Sequence, residues 1–296
     1  MAASSTIRLP APAKLNLFLR ITGRREDGYH ELQTVFQFLD LCDDIDLTHR
    51  ADGRIRRLTE IPGVAPEQDL MVRAARALQL ITGTSAGVDI NIVKRIPMGG
   101  GLGGGSSDAA SVLLGLNELW GLDLSTRALA RIGRELGADV PVFVHGQAAW
   151  AEGIGEELTP IEIEERELLL ALPDALVETA AVFAYPELTR NSERLTITSF
   201  PSLGTVRRVV HLMAGGNVCE AAVRARFPVV NSCLDWLAQW GVARMTGTGA
   251  ACFAVPEDDA RLTEALAADT PWRTLKVRSL SSSPVLERRT WTRRFV

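Results

Sequence analysis

The sequence predicts an α+β protein of two domains. Three observations lead there: strand patterns that follow one another before any helix pattern begins, a strands-then-helices order that recurs in the second half, and a glycine-rich loop opening one helix that runs on into another. The first strand is AKLNLFLRI at 13–21, with Leu15, Leu17, Leu19 and Ile21 on one face and Lys14, Asn16, Phe18 and Arg20 on the other. Further strands are expected over 32–39 and 45–48, joined through Asp43 and Asp44, and with no helix between them they pair antiparallel. From Asp69 the spacing changes to three and four (Leu70, Ala74, Ala77, Leu78, Ile81) up to Gly83, which is the period of an amphipathic helix. Val88, Ile90 and Ile92 alternate as a strand ending at Lys94. Helices follow from Ser107 to Trp120, stopped by Gly121, and from a Ser125 cap to Glu135, stopped by Gly137. A strand is expected over 148–152. The texture then turns to Gly and Glu, and a boundary near Pro160 divides residues 1–160 from 161–296. Beyond it the patterns predict a strand at 168–172, helices at 204–213, 217–226 and 230–240, a strand at 250–255, and a helix and strand within 257–278.

At 296 residues, 46% apolar and 23% charged, the chain has ample material for a core, and fibrous and disordered classes are excluded. Its 36 acidic and 32 basic residues give a net charge of −4, which argues against a nucleic-acid binder working through a broad cationic surface. The opening MAASSTIRLP lacks the apolar core of a secretory signal, and no stretch approaches the roughly 18 apolar residues of a membrane span. Cys42, Cys219, Cys233 and Cys252 form no CxxC pair, and the four histidines are scattered, so no metal-ligand spacing appears. These features predict a cytoplasmic protein with reduced thiols, without nucleic-acid or membrane partners; the sequence leaves monomer and homodimer both open.

Residues 97–107 read PMGGGLGGGSS, with six of the 25 glycines inside the seven positions 99–105. Such a loop adopts positive φ at several positions and exposes successive backbone N–H groups, forming an anion nest. A helix opening at Ser106 and Ser107 adds its free N–H groups and positive dipole end, so the loop reads as a polyphosphate cradle. A plain tight turn is the competing reading. Gly99, Gly101 and Gly104 formally spell GxGxxG, but the dinucleotide fold needs a strand after the helix, and here a second helix follows. No Gly-Lys pair exists for a Walker A loop, and HRD and DFG are absent.

The chain has 29 Arg and only 3 Lys, so each Lys departs from its habit. Lys14 shares the polar face of the first strand with Asn16, in apolar surroundings that argue for a working ammonium over a solvated one. Asp139, in LGADVPVFV, enters an apolar run and needs a partner, either a cation or a helix cap beside Pro141; both remain open. A carboxylate set beside a cation stays charged and accepts a proton from a hydroxyl that attacks phosphorus. GYH at 28–30 and PELTRNS at 186–192 read as loops, and TGTGAACFAV at 246–255 as a turn before a buried strand.

Three segments, PAKLNLFL at 12–19, PMGGGLGGGSSDAA at 97–110 and MTGTGAACFA at 245–254, resemble the GHMP small-molecule kinase superfamily. More narrowly, ITGRREDGYHELQTVFQFLDLCD and GADVPVFVHGQAAWAEGIGE are similar to a branch that phosphorylates a cytidine diphosphate alcohol. The resemblance covers essentially the whole chain. It implies a two-domain kinase with a cleft between domains, ATP and Mg²⁺ as its requirements, and transfer to the 2-hydroxyl of 4-diphosphocytidyl-2-C-methyl-D-erythritol in the non-mevalonate route to isoprenoid precursors. Sibling kinases of mevalonate, homoserine or a sugar, or a nicotinamide oxidoreductase, are the alternatives. By the same resemblance Lys14 and Asp139 are catalytic. ATP falls to Lys94, Pro97, Met98, Gly99, Gly100, Gly101, Leu102, Gly103, Gly104, Gly105, Ser106 and Ser107, with Lys94 on the adenine side. Tyr29 and Phe183 sandwich the cytosine, His30 bonds its edge, and Asn16 meets the methylerythritol. Asp69 stands where the resemblance leads one to expect an Asn beside the adenine. No magnesium ligand is identified, Ser107 being a candidate by position alone. Lys276 and the Arg288, Arg289, Arg293 and Arg294 tail receive no role beyond solvation.

Overall fold

A computed structural model describes residues 5–200, 202–203 and 206–286; the arginine-rich tail lies outside these. Two long strands, β1 (Thr6–Arg24) and β2 (His30–Arg50), open the chain, followed by β3 (Ile55–Arg57), α1 (Leu70–Thr82), β4 (Gly87–Val93), α2 (Gly104–Leu119), α3 (Thr126–Leu136) and α4 (Val140–His145). Then come β5 (Ala149–Glu152), β6 (Glu157–Pro160), β7 (Glu167–Leu172), α5 (Thr179–Ala184), β8 (Ser202–Leu203), β9 (Val206–Arg207), α6 (Val209–Met213), α7 (Val218–Arg226), α8 (Pro228–Leu237), β10 (Gly241–Met245), β11 (Cys252–Pro256), α9 (Asp259–Ala267) and β12 (Arg273–Leu280).

β2 organises the main sheet. It pairs with β1 along one edge, and along the other with β5 at 34–36, β12 at 38–39 and β4 at 44–50. The sheet continues from β12 through β7 and β11 to β10, so it crosses residue 160 without a break. Every pairing in it is antiparallel except β3 with β4, as the strand run predicted.

The expected strands at 32–39 and 45–48 are one strand. The acidic pair between them does not break it, because the Asp43 carboxylate accepts the amides of Arg95 and Ile96 and the ammonium of Lys94, and a buried charge so satisfied is tolerated. β6 and β10 escape the sequence patterns: both are short, β6 mostly open to solvent and β10 mostly half-buried, so neither alternates cleanly. Of the expected helix at 204–213, residues 209–213 are helical and residues 206–207 are extended; 204 and 205 lie outside the described residues. α2 starts three residues early, at Gly104, because Gly103 at φ 74° turns the chain into the helix without a side-chain cap.

β1 is buried on both faces, since apolar layers lie on either side of the sheet. One layer sets Phe36, Phe38, Ile45 and Leu47 against α1, α2, α3 and α4. Alternation then splits β7: Leu168 and Leu170 face a second cluster with Leu15, Leu17 and Phe253, while Leu169 and Ala171 face a third with α7, α8 and α9. Phe18 is therefore core, and the supposed polar face of the first strand is buried too, which forces Lys14 and Asn16 to find partners. All four cysteines are free thiols. Among the described residues no helix is long and apolar enough to cross a membrane.

Candidate active site

A cavity of about 1020 Å³ runs between the glycine loop and the strand and helix ends of both halves. Of the eighteen residues singled out from the sequence, seventeen line it; Ser107 does not. The Ser107 side chain, in the first turn of α2, is fully buried, its hydroxyl has no protein partner among the described residues, and the open hydroxyl of the pair is that of Ser106.

The loop has the geometry of a nest. Gly99, Gly101 and Gly103 sit at φ 71°, 74° and 74° with intervening residues outside that region. A side chain at Gly101 is excluded twice over, by this φ and by the Thr246 carbonyl, which would stand 2.5 Å from its Cβ. The loop is held through carbonyls, Leu102 accepting the Lys14 amide at 2.9 Å and Gly100 the Ala251 amide at 3.1 Å, contacts that spare its own N–H groups. The turn at Gly247 and Gly249 thus buttresses the loop, a use the paired glycines alone did not disclose.

Lys14 lies at the floor, 3% exposed. Its ammonium donates to Asn16 Oδ1 at 2.6 Å and Gly101 O at 3.0 Å, and stands 3.3 Å from Asp139 Oδ2. The Asn16 side-chain amide donates to Thr34 Oγ1 at 2.9 Å, which fixes the orientation of its carbonyl toward Lys14. Register shifts between Pro12 and Lys14 and between Asn16 and Leu19 aim this segment of β1 at the cleft. Asp139 does occupy the position before α4, with Pro141 in the first turn, yet its carboxylate makes no capping bond and faces Lys14. Thr34 and Phe36 also line the cavity; they were missed because on a strand buried on both faces they look like core.

Lys94 is held more firmly than expected of a residue merely beside a nucleotide. Its ammonium bonds Asp43 at 2.5 Å and Asp108 at 2.7 Å. Burial works against its charge, but the two carboxylates outweigh it and raise its pKa; burial pushes Asp108 up to about 8 against the pull of Lys94, with Asp43 adding to the rise. Asp69 is fully committed: it caps α1 through Met71 N at 2.7 Å and pairs with buried Arg57 at 2.7 Å, while its neighbour Leu70 reaches the cavity. Lys276 pairs with Glu167 on the solvent side of the β7–β12 ladder, away from the cavity.

At the far end His30 stacks on Phe183, ring centroids 5.2 Å apart and planes within 18°. Tyr29 stands at the rim, 60% exposed. Arg190 donates to His30 Nε2 at 3.3 Å and to the carbonyls of Phe183 and Tyr185. Burial, then the charges of Arg190 and Arg24, lowers the His30 pKa, which keeps a neutral ring at the end of the cleft.

Residues 69–147 match the family model for the GHMP kinases N terminal domain, and residues 197–268 that for GHMP kinases C terminal. A 4-diphosphocytidyl-2-C-methyl-D-erythritol kinase of Nitrosococcus oceani is 50% identical over 281 residues, covering 94% of this chain and 96% of that protein. The enzyme of the same name from Halorhodospira halophila is 54% identical over 247 residues, 82% of each chain. A crystal structure of 4-(cytidine 5′-diphospho)-2C-methyl-D-erythritol kinase superposes with a TM-score of 0.77 at 32% identity, covering 92% of this chain and 99% of that one. On two family domains, close relatives over most of its length and a shared fold, the chain belongs to the 4-diphosphocytidyl-2-C-methyl-D-erythritol kinase family of the GHMP kinases.

Proposed function

We propose that this chain transfers the γ-phosphoryl group of ATP to the tertiary 2-hydroxyl of 4-diphosphocytidyl-2-C-methyl-D-erythritol, giving the 2-phosphate and ADP on the non-mevalonate route to isoprenoid precursors. One observation carries the chemistry: the Lys14–Asp139 contact of 3.3 Å lies in the same cavity as the glycine loop at one end and the stacked His30–Phe183 pair at the other. The nest binds phosphates, the aromatic end takes a base, and the contact sits where an alcohol would meet the γ-phosphoryl group.

In this reading Asp139 takes the proton of the 2-hydroxyl as its oxygen bonds to phosphorus and the bond to the bridging β,γ-oxygen breaks, the electron pair leaving with ADP. Lys14 faces both the carboxylate and the transferring group and offsets their negative charge. Its bond to Asn16 keeps the ammonium aimed without consuming Asp139. Residues 1–160 carry the loop and the transfer residues, and residues 161–296 supply Phe183 and the Thr248 wall.

Magnesium takes oxygen donors and keeps several waters, binding through one or two carboxylates together with substrate phosphates. Asp139 and Ser106, whose oxygens are open to the cavity, fit that donor set and would hold it; when bound, the ion neutralises charge on the phosphate oxygens. Phosphorus NMR of the product made with purified protein tests the assignment: a new phosphomonoester coupled to no proton-bearing carbinol is expected, since C2 carries no hydrogen, whereas coupling to a carbinol proton would place the phosphate elsewhere.

A further inference from the structure

The loop after α5 brings a guanidinium to the back of the base end. Leu188 is buried in the third apolar cluster, the Ser192 amide donates to Ile21 O at 2.8 Å, and the Leu195 amide donates to Gln33 Oε1 at 2.8 Å, so the loop is tied on both sides of Arg190. α5 ends without a glycine cap, leaving carbonyls open at its last turn. Arg190 Nη2 closes two of them, Phe183 O at 2.8 Å and Tyr185 O at 2.7 Å, and Nη1 bonds Leu188 O at 3.1 Å. Its remaining edge, Nε–H, is directed at His30 Nε2.

That last contact has a chemical consequence. An arginine side chain only donates, so the ring nitrogen it meets must accept, and a neutral imidazole with Nε2 unprotonated carries its proton on Nδ1. Nδ1 has no protein partner among the described residues, and His30 lines the cavity. We propose that Arg190 is a positioning residue that sets the tautomer of His30 and the seat of Phe183 together, so that the base end offers a fixed Nδ1–H donor beside an aromatic face. Such an end suits a pyrimidine with ring-nitrogen or carbonyl acceptors on its edge. This rests on the base-binding reading given above, and deepens it by naming what makes the donor available. The charged groups facing His30 are Arg190 and, across the hairpin, Arg24; both are cations and both favour the neutral ring.

The test begins with the wild-type protein, ¹⁵N-labelled and free of nucleotide at about pH 8, its His30 signals assigned by their loss in His30→Gln. Nitrogen NMR should show Nδ1 protonated and Nε2 bare; Nε2 protonated overturns the proposal with no need of a further variant. In Arg190→Ala the ring is released and its proton spreads over both nitrogens. The KM for the cytidyl substrate should then rise about two- to fivefold at about pH 8, the cost of selecting one of two tautomers. Burial and Arg24, which this variant leaves in place, still hold the ring neutral, so nitrogen NMR of Arg190→Ala should show both nitrogens partly protonated. The KM for ATP, bound at the other end, stays put. A variant ring that keeps its proton on Nδ1 alone would reduce Arg190 to a brace for α5 and overturn the tautomer assignment. A changed tautomer with no change in KM for the cytidyl substrate supports Arg190's hold on His30 and counts instead against the base-binding reading.

Discussion

A single ammonium at Lys14 reaches three partners from three parts of the chain. Gly103 presents no Cβ beside it, and one placed there would stand 3.0 Å from Lys14 Cε. A compact ammonium suits such an enclosure better than a planar guanidinium, which accounts for a lysine in a chain that otherwise prefers arginine. Two of its three lysines serve the cleft; Lys276 is a surface partner for Glu167, so scarcity pointed to function without guaranteeing it. The sequence disclosed that Asp139 needed a partner but left cap and cation equally open, because position relative to Pro141 says nothing of where a carboxylate turns. Asp139→Asn keeps the shape and removes the proton acceptor. Its kcat is expected to fall at least about 10²-fold with little change in the KM for the cytidyl alcohol, measured by steady-state kinetics; near-native turnover would remove Asp139 from this role.

Among the elements, the positive-φ glycines of the loop were legible, but the early start of α2 at Gly104 and the loop's support were not. Glycine density announces positive φ, but the Thr246 carbonyl against Gly101 and the Asp43 side chain beneath residues 95–96 come from distant strands, and long-range pairing leaves no local spacing to read. The same blindness hid β6 and β10, short edge strands of which β10 alone buries a residue fully, Met245. Long β2 was split at Asp43 because an acidic pair signals a break unless a partner is known. Gly101→Ala tests the loop as a unit. With φ 74° and the Thr246 carbonyl 2.5 Å from the new Cβ, the loop must shift. The KM for ATP is expected to rise at least about tenfold while Tm drops by a few degrees, since the strain is local. An unchanged KM for ATP would mean that the loop does not bind its phosphates.

For the whole molecule, α+β order and antiparallel pairing followed from the succession of patterns, and the sheet's continuity across residue 160 followed only from β12 returning to β2. One buried charge cluster ties that sheet to α2, and it gives stability a dependence on pH. Burial pushes Asp108 from 3.8 up to about 8 in the folded chain, so its contribution is fully present below about pH 4 and is lost as pH rises toward 8. Thermal melts of wild type and Asp108→Asn should show the wild type losing ground to the variant steadily across that window, and a difference independent of pH would contradict the shift. The central claim is tested most directly by coupling ADP release to purified protein given ATP, Mg²⁺ and 4-diphosphocytidyl-2-C-methyl-D-erythritol, with mevalonate and homoserine in parallel. Substrate-dependent ADP release with the cytidyl alcohol alone is predicted; equal or greater release with mevalonate or homoserine, or none with the cytidyl alcohol, would contradict it.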